Sequence, residues 1–132
     1  MVRLSPILLV LLLWTGCTTY VQAPSTIGRV FDAETGKPIR GARVTRPPMN
    51  PDFLNLPQGL PETTVKTDRF GRFRMPGARG SFFLFQLHYT HKSFTITYRV
   101  DADGYRGTNV TGFASSNTLW RIELEHIRLT PQ

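Results

Sequence analysis

The sequence predicts an all-β fold, a single β-sandwich, and three observations carry that expectation. Glycine and proline, 11 and 10 residues in a chain of 132, punctuate it too often for long helices. From Ile27 onward, short apolar segments alternate with turn residues at intervals of roughly ten residues, the spacing of sandwich strands. Residues 94–102 alternate without a break, Phe94, Ile96, Tyr98, Val100 and Ala102 on one face and Thr95, Thr97, Arg99 and Asp101 on the other. The first set is a core face; the second is wet.

The elements follow in order. Residues 1–16 combine a positive start, Arg3, with an apolar run from Ile7 to Trp14. The run is too short to span a bilayer, for which roughly 20 residues are needed, so it reads as a cleaved leader. Residues 18–26 show no period, and Gln22, Pro24 and Ser25 mark them as a linker that could reach about 30 Å when extended. A strand over 27–32 is closed by Glu34-Thr35-Gly36-Lys37, a hairpin turn in which Gly36 supplies positive φ, and 42–45 is the return strand with Ala42 and Val44 inward. A strand over 63–67 enters the Asp68-Arg69-Phe70-Gly71 turn, where the Asp68 carboxylate accepts backbone N–H bonds. Phe73 and Met75 then alternate with Arg72 and Arg74 until Pro76-Gly77 ends the run. Residues 82–89 are nearly all apolar. In the last strand, 119–129, Trp120, Ile122 and Leu124 share a face, but Ile127 and Leu129 switch parity, which a bulge at Glu125-His126 would repair.

Leu13-Trp14-Thr15-Gly16-Cys17 resembles the lipobox of bacterial lipoproteins, with Trp14 standing where the family prefers leucine. The resemblance implies cleavage between Gly16 and Cys17, a diacylglyceryl group on the Cys17 thiol and an acyl chain on the new amino group. Cys17 is the sole cysteine, without a disulfide partner in an export-bound chain, and lipidation gives it a purpose. Each buried methylene contributes about 0.8 kcal/mol, so several chains together make a firm tether. The expected address is the cell membrane, facing the periplasm. Thr18 in place of aspartate implies, by the same resemblance, the outer membrane.

Four motifs in order, Gly28-Arg29-Val30-Phe31-Asp32, then Thr35-Gly36-Lys37-Pro38-Ile39 with Gly41-Ala42-Arg43-Val44, then Thr67-Asp68 with Gly71-Arg72-Phe73, and Asp103-Gly104-Tyr105, look like the carboxypeptidase regulatory-like domain. The match runs over residues 27–129. It implies a transthyretin-like Greek-key sandwich of about seven strands in a domain spanning 27–132, an accessory or interaction module without catalysis of its own. In physical terms Gly36, Gly41, Gly71 and Gly104 set backbone geometry, while Val30, Val44, Phe73 and Tyr105 pack inside.

Little else in the chain advertises chemistry. His88 and His91 lie at an odd offset and His126 is distant, with no acidic or cysteine partner at ligand spacing, so neither a metal nor any other cofactor is expected. Tyr105-Arg106-Gly107-Thr108 is similar to the terminal Tyr-Arg-Gly-Ser of transthyretin-related hydroxyisourate hydrolases, but here about twenty-four residues follow it, and no catalytic set assembles. The net charge is +7, of which Arg3 contributes one, leaving +6 on the remainder. An exported protein is a poor partner for nucleic acid, so anionic head groups or an acidic protein face are the natural attractors. On the plainer reading Arg29, Arg43, Arg72, Arg74, Arg99 and Arg121 are outward strand positions that keep the sheets soluble. Five of the ten prolines fall between Pro47 and Pro61, and Phe53, Leu54 and Leu56 within that loop could dock an envelope partner or fold over an open edge. The expectation is a non-catalytic, membrane-anchored lipoprotein presenting a sandwich module, with a subunit of an envelope or secretion assembly as the alternative and a transthyretin-related hydrolase behind both.

Overall fold

The computed structural model describes residues 17–49, 60–83, 93–115 and 121–132, and these residues are all β, with nine strands and no helix. Seven of the strands form a Greek-key sandwich. Strands β5 (Arg72–Met75), β2 (Ser25–Asp32) and β9 (Arg121–Leu129) make one sheet in that order; β4 (Thr63–Lys66), β3 (Arg43–Arg46), β7 (Ser93–Asp101) and β8 (Thr108–Ser115) make the other. The chain passes between the sheets four times, at β2–β3, at β4–β5, from β5 to β7 and at β8–β9. All pairings are antiparallel except β2 with β9.

Period two fixes which side chains meet between the sheets. β7 alternates exposed and buried along its length, and Phe94, Ile96, Tyr98, Val100 and Ala102 enter the core as their spacing predicts. They meet Val30 from β2, Val44 from β3, Phe73 and Met75 from β5, and Ile122, Leu124, Ile127 and Leu129 from β9. Each such side chain contributes about 1.5–3 kcal/mol when fully buried. The bulge in β9 is where the parity switch requires it. Gly28 pairs Leu124 and Val30 pairs Ile127, so β9 spends one extra residue at Glu125-His126, both exposed, and keeps its apolar residues inward on either side.

Two-stranded β1 (Cys17–Ala23) and β6 (Ala78–Phe83) stand apart from the sandwich sheets. Ala23 pairs Ala78 and Thr26 pairs Met75, so β1 and β6 prolong the β2–β5 pair past an interruption at Pro24 and Pro76-Gly77. Proline cannot donate to the ladder, and a Cβ on Gly77 would stand 2.8 Å from both the Ala23 carbonyl oxygen and the Ser25 nitrogen. The join is therefore close, and neither Pro24 nor Pro76 can donate across it. Cys17 pairs Phe83 at the far end of this ribbon.

Three expectations are corrected. Residues 17–23 are a strand rather than part of a linker over 17–26, because Thr18, Thr19, Tyr20 and Val21 suit an extended chain and β6, some sixty residues on, supplies the ladder. The sandwich itself starts at Ser25, two residues before Ile27. Residues 42–45 do not return as a hairpin beside β2. Gly36 and Gly41 both take positive φ, at 70° and 76°, a Phe31–Pro38 bridge closes the first turn, and the second sends β3 into the opposite sheet. β8 was not visible in the sequence, since its first half is exposed or half-buried and its inward residues, Gly112 and Ala114, are small. Gly112 is required there, because a Cβ would collide with the Ile122 side chain of β9. Of the apolar 82–89 segment, β6 takes the start and the remainder lies outside the described residues, as does Trp120.

The two ends of the sandwich differ. One gathers the tight turns, with Gly36, Gly41, Gly71 and Gly104 all at φ between 70° and 83°. At the other end β3, β8 and the β1–β6 ribbon leave, and the connections over 50–59, 84–92 and 116–120 begin and end there.

Candidate functional site

At the tight-turn end, Asp32 closes β2 and its carboxylate accepts N–H bonds from Glu34 at 2.8 Å and Thr35 at 2.9 Å, while the Tyr105 hydroxyl donates to it at 2.8 Å. The Thr35 N–H and then the Tyr105 hydroxyl hold the Asp32 carboxyl below the usual aspartate range, and the same bond to Asp32 pushes Tyr105 up. Tyr105, expected inside, is half-buried against the core with its hydroxyl in this network. Arg43 extends the polar cluster across the other sheet, where its guanidinium pairs with Asp101 at 2.5 Å and Asp103 at 3.3 Å. Asp32, Asp101 and Asp103 each accept from the fold's own donors. This end is a clasp.

Between the sheets at the opposite end lies a second polar group. Ala42, Val44 and Arg46 share the inward face of β3, and Arg46 is 4% exposed. Its terminal nitrogens reach the Pro76 carbonyl oxygen and the Thr63 hydroxyl only at 3.4 Å, and its Nε has no partner among the described residues. No carboxylate pairs with it among the described residues, and burial pulls the guanidinium below the ordinary arginine value. Tyr98, fully buried beside it, shares a 2.6 Å hydrogen bond with the Thr26 hydroxyl, and burial pushes its phenol up. The strand read over 42–45 put Ala42 and Val44 inward and stopped one residue short of Arg46, which the same parity carries inward.

The outer face of β5–β2–β9 carries the basic surface. Arg29 of β2 stands directly across from Arg72 of β5, and Ile27 across from Arg74. Together with Lys66, Asp68 and Glu125 they line an open groove of about 410 Å³. Among the described residues, Arg29, Lys66, Arg72 and Arg74 form no ion pair. Asp68 is already committed, accepting N–H bonds from Phe70 at 2.8 Å and Arg72 at 2.9 Å; the Arg72 N–H is the main reason its carboxyl lies below the usual range. Like charges facing across a ladder are unfavourable, so the Arg29–Arg72 pairing is an arrangement the fold tolerates at some cost. Phe70 lies 49% exposed at the rim, with the Arg69 guanidinium 4.7 Å and that of Arg72 5.5 Å from its ring centre.

Of the residues singled out from sequence, Cys17 opens β1, while Gly16, Phe53, Leu54, Leu56, His88 and His91 lie outside the described residues. His126 is exposed on the β9 bulge and Arg106 on the β7–β8 turn, and neither lines the basic groove. No cluster of three potential metal ligands occurs among the described residues. Arg72, Arg74, Arg99 and Arg121 are exposed, as their strand parity predicts, with Arg29 and Arg43 half-buried. That Arg29 and Arg72 meet could be learned only from the register.

No family model matches the sequence, and no curated protein matches it. Among solved structures the chain is similar to 3-chlorocatechol 1,2-dioxygenase from Rhodococcus opacus 1CP, with a TM-score of 0.50 and 13% identity. The match covers 83% of this chain and 61% of that one, so the chain spans less than two thirds of the dioxygenase's length. A likeness at that identity shows the fold alone.

Proposed function

We propose that this chain is a lipid-anchored, non-catalytic β-sandwich of the bacterial cell envelope, held through acyl chains on Cys17 and presenting its sandwich as an interaction module. The observation that carries the reading is Leu13-Trp14-Thr15-Gly16-Cys17, a lipobox-like segment ending in the chain's sole cysteine. One structural feature supports it. Cys17 opens a two-stranded ribbon that reaches the sandwich only at Ala23, so a lipid on the cysteine is set off from the packed core. No helix among the described residues is long and apolar enough to cross a membrane. The domain reads as a carboxypeptidase regulatory-like module, with its four positive-φ glycines at the positions the motifs supply. Outer-membrane placement follows from Thr18.

The second reading, a subunit of an envelope or secretion assembly, is favoured by the end of the sandwich from which the ribbon and the long connections leave. It predicts a stable complex on mild detergent extraction.

Fractionation of cells tests the anchor. Membranes are washed in about 1 M salt, where the screening length falls to about 3 Å and electrostatic attachment is stripped. The natural chain should stay in the washed membranes and be released by detergent; Cys17→Ala should appear in the soluble fraction. A Cys17→Ala protein that remains in salt-washed membranes overturns the reading.

A further inference from the structure

We infer that the outer face of β5–β2–β9 is a docking surface for anionic phospholipid head groups, so that the sandwich lies with this sheet against the membrane. The inference extends the anchored reading above by naming the surface that meets the bilayer, yet it stands on charge and geometry that do not involve Cys17.

The face has what a phosphate-studded plane selects. Arg29, Arg72 and Arg74 of this face and Lys66, reaching in from the end of β4 in the other sheet, converge on one open groove, and among the described residues no carboxylate forms an ion pair with any of them. The acids offset only part of this charge: Asp68, bonded by the N–H groups of its own turn, and Glu125 are two carboxylates against four cations in the groove, and Glu123, beside Ile27 on the same sheet, is paired with Arg121 at 2.9 Å. Arginine suits the task because its fork bonds phosphate oxygens two at a time and sheds water more readily than lysine does. The Arg29–Arg72 juxtaposition, unfavourable in isolation, becomes favourable once phosphate sits over it. At the rim Phe70 offers an exposed ring flanked by Arg69 and Arg72, an aromatic of the kind that settles at head-group depth. The other outer face is different in kind, since on β7 and β8 it presents Thr97 and Thr111 bonded to each other at 3.0 Å, and Arg99 and Arg43 there lie within reach of Asp101. The ribbon that begins at Cys17 prolongs the β2–β5 pair, so a tether at Cys17 and contacts through Arg29, Arg72 and Arg74 lie along one line of the molecule.

The full-length Cys17→Ala protein, which carries no acyl chain, is titrated with vesicles of phosphatidylcholine alone and of phosphatidylcholine mixed with phosphatidylglycerol. Binding is expected to the mixed vesicles only, and to vanish in high salt. At about 1 kcal/mol per basic residue at an anionic surface, each charge removed weakens binding about five-fold, so Arg29→Gln/Arg72→Gln/Arg74→Gln should lose on the order of a hundredfold. A control with the same net charge, Lys37→Gln/Arg40→Gln/Arg106→Gln, changes exposed residues at the turn end and should lose far less. Thermal melts establish that both variants fold. Equal losses in the two triples, or no binding to mixed vesicles, overturn the inference. So does binding of inorganic phosphate alone without vesicle binding, which would make the groove a small-anion site. Because the lipid is absent throughout, these outcomes are independent of the fractionation result, which judges Cys17 alone.

Discussion

Arg46 is buried with no counter-charge among the described residues, and its fate under substitution separates two meanings of a buried polar residue. An unsatisfied buried Nε and two long hydrogen bonds leave most of the desolvation cost uncompensated. Met has similar length and no polar atom to satisfy, and replacing buried charge with well-packed apolar groups is often stabilising. Arg46→Met is therefore expected to raise stability by about 1 kcal/mol, a few degrees in melting temperature. A lower melting temperature would mean that the contacts to Thr63 and Pro76 outweigh the cost of burial. Tyr98, its neighbour, is the contrasting case, because its hydroxyl is satisfied by Thr26 at 2.6 Å. The sequence placed Tyr98 inward by parity but ended the other strand before Arg46, and it could not show that the two share one end of the interior, since their strands lie some fifty residues apart.

At the scale of elements, the turns were the most legible part of the chain because they are local. Gly36, Gly41, Gly71 and Gly104 punctuate the short segments between strands, and all four take positive φ. What a local reading missed was the surroundings of each. A Cβ on Gly36 would meet nothing within 4 Å, so Gly36→Ala is expected to cost only backbone strain, about 1–2 kcal/mol. At Gly71 a Cβ would stand 2.5 Å from the Val30 carbonyl oxygen, while the Gly71 carbonyl accepts the Val30 N–H at 2.9 Å, so the two strands cannot part without losing a ladder bond. Gly71→Ala should cost about 3 kcal/mol or more by denaturant unfolding. Equal losses at the two sites would show that strain alone matters. Strand pairings resisted sequence reading for the complementary reason. β1 has no alternation and a partner in β6 far along the chain, and β8 packs on glycine and alanine, so neither carries the apolar period that marked β7. The bulge in β9 was readable because Ile127 and Leu129 break parity within a single strand.

For the molecule as a whole, the two ends divide the work. The motifs that resemble a known module cluster where tight turns and the Asp32–Tyr105 bond tie the sheets together, whereas the ribbon from Cys17 and the segments peculiar to this chain leave from the opposite end. The basic groove, on which the inferred head-group contact rests, fell between these categories. Each arginine read as an ordinary outward position, and only the β2–β5 register gathered them. This division has a consequence for acid stability. Asp32 and Asp68, both at the turn end, have folded-state carboxyls below the usual range, the first through the Thr35 N–H and Tyr105, the second through the Arg72 N–H. A depressed carboxyl contributes stability that is fully present above the unfolded value, about 3.9, and is lost as the pH falls through the lower folded value. Tyr105 is raised by Asp32, so its contribution is full below its unfolded value of about 10 and is lost as pH climbs through the higher folded one. Melting temperature should thus hold through neutral pH, fall below about pH 4 and fall again above about pH 10. Asp32→Asn should melt lower at neutral pH and show a shallower fall at both extremes, because one residue's charge is coupled to each. If the variant's profile runs parallel to that of the natural chain from pH 3 to pH 11, the bond between Asp32 and Tyr105 does not hold the turn end together.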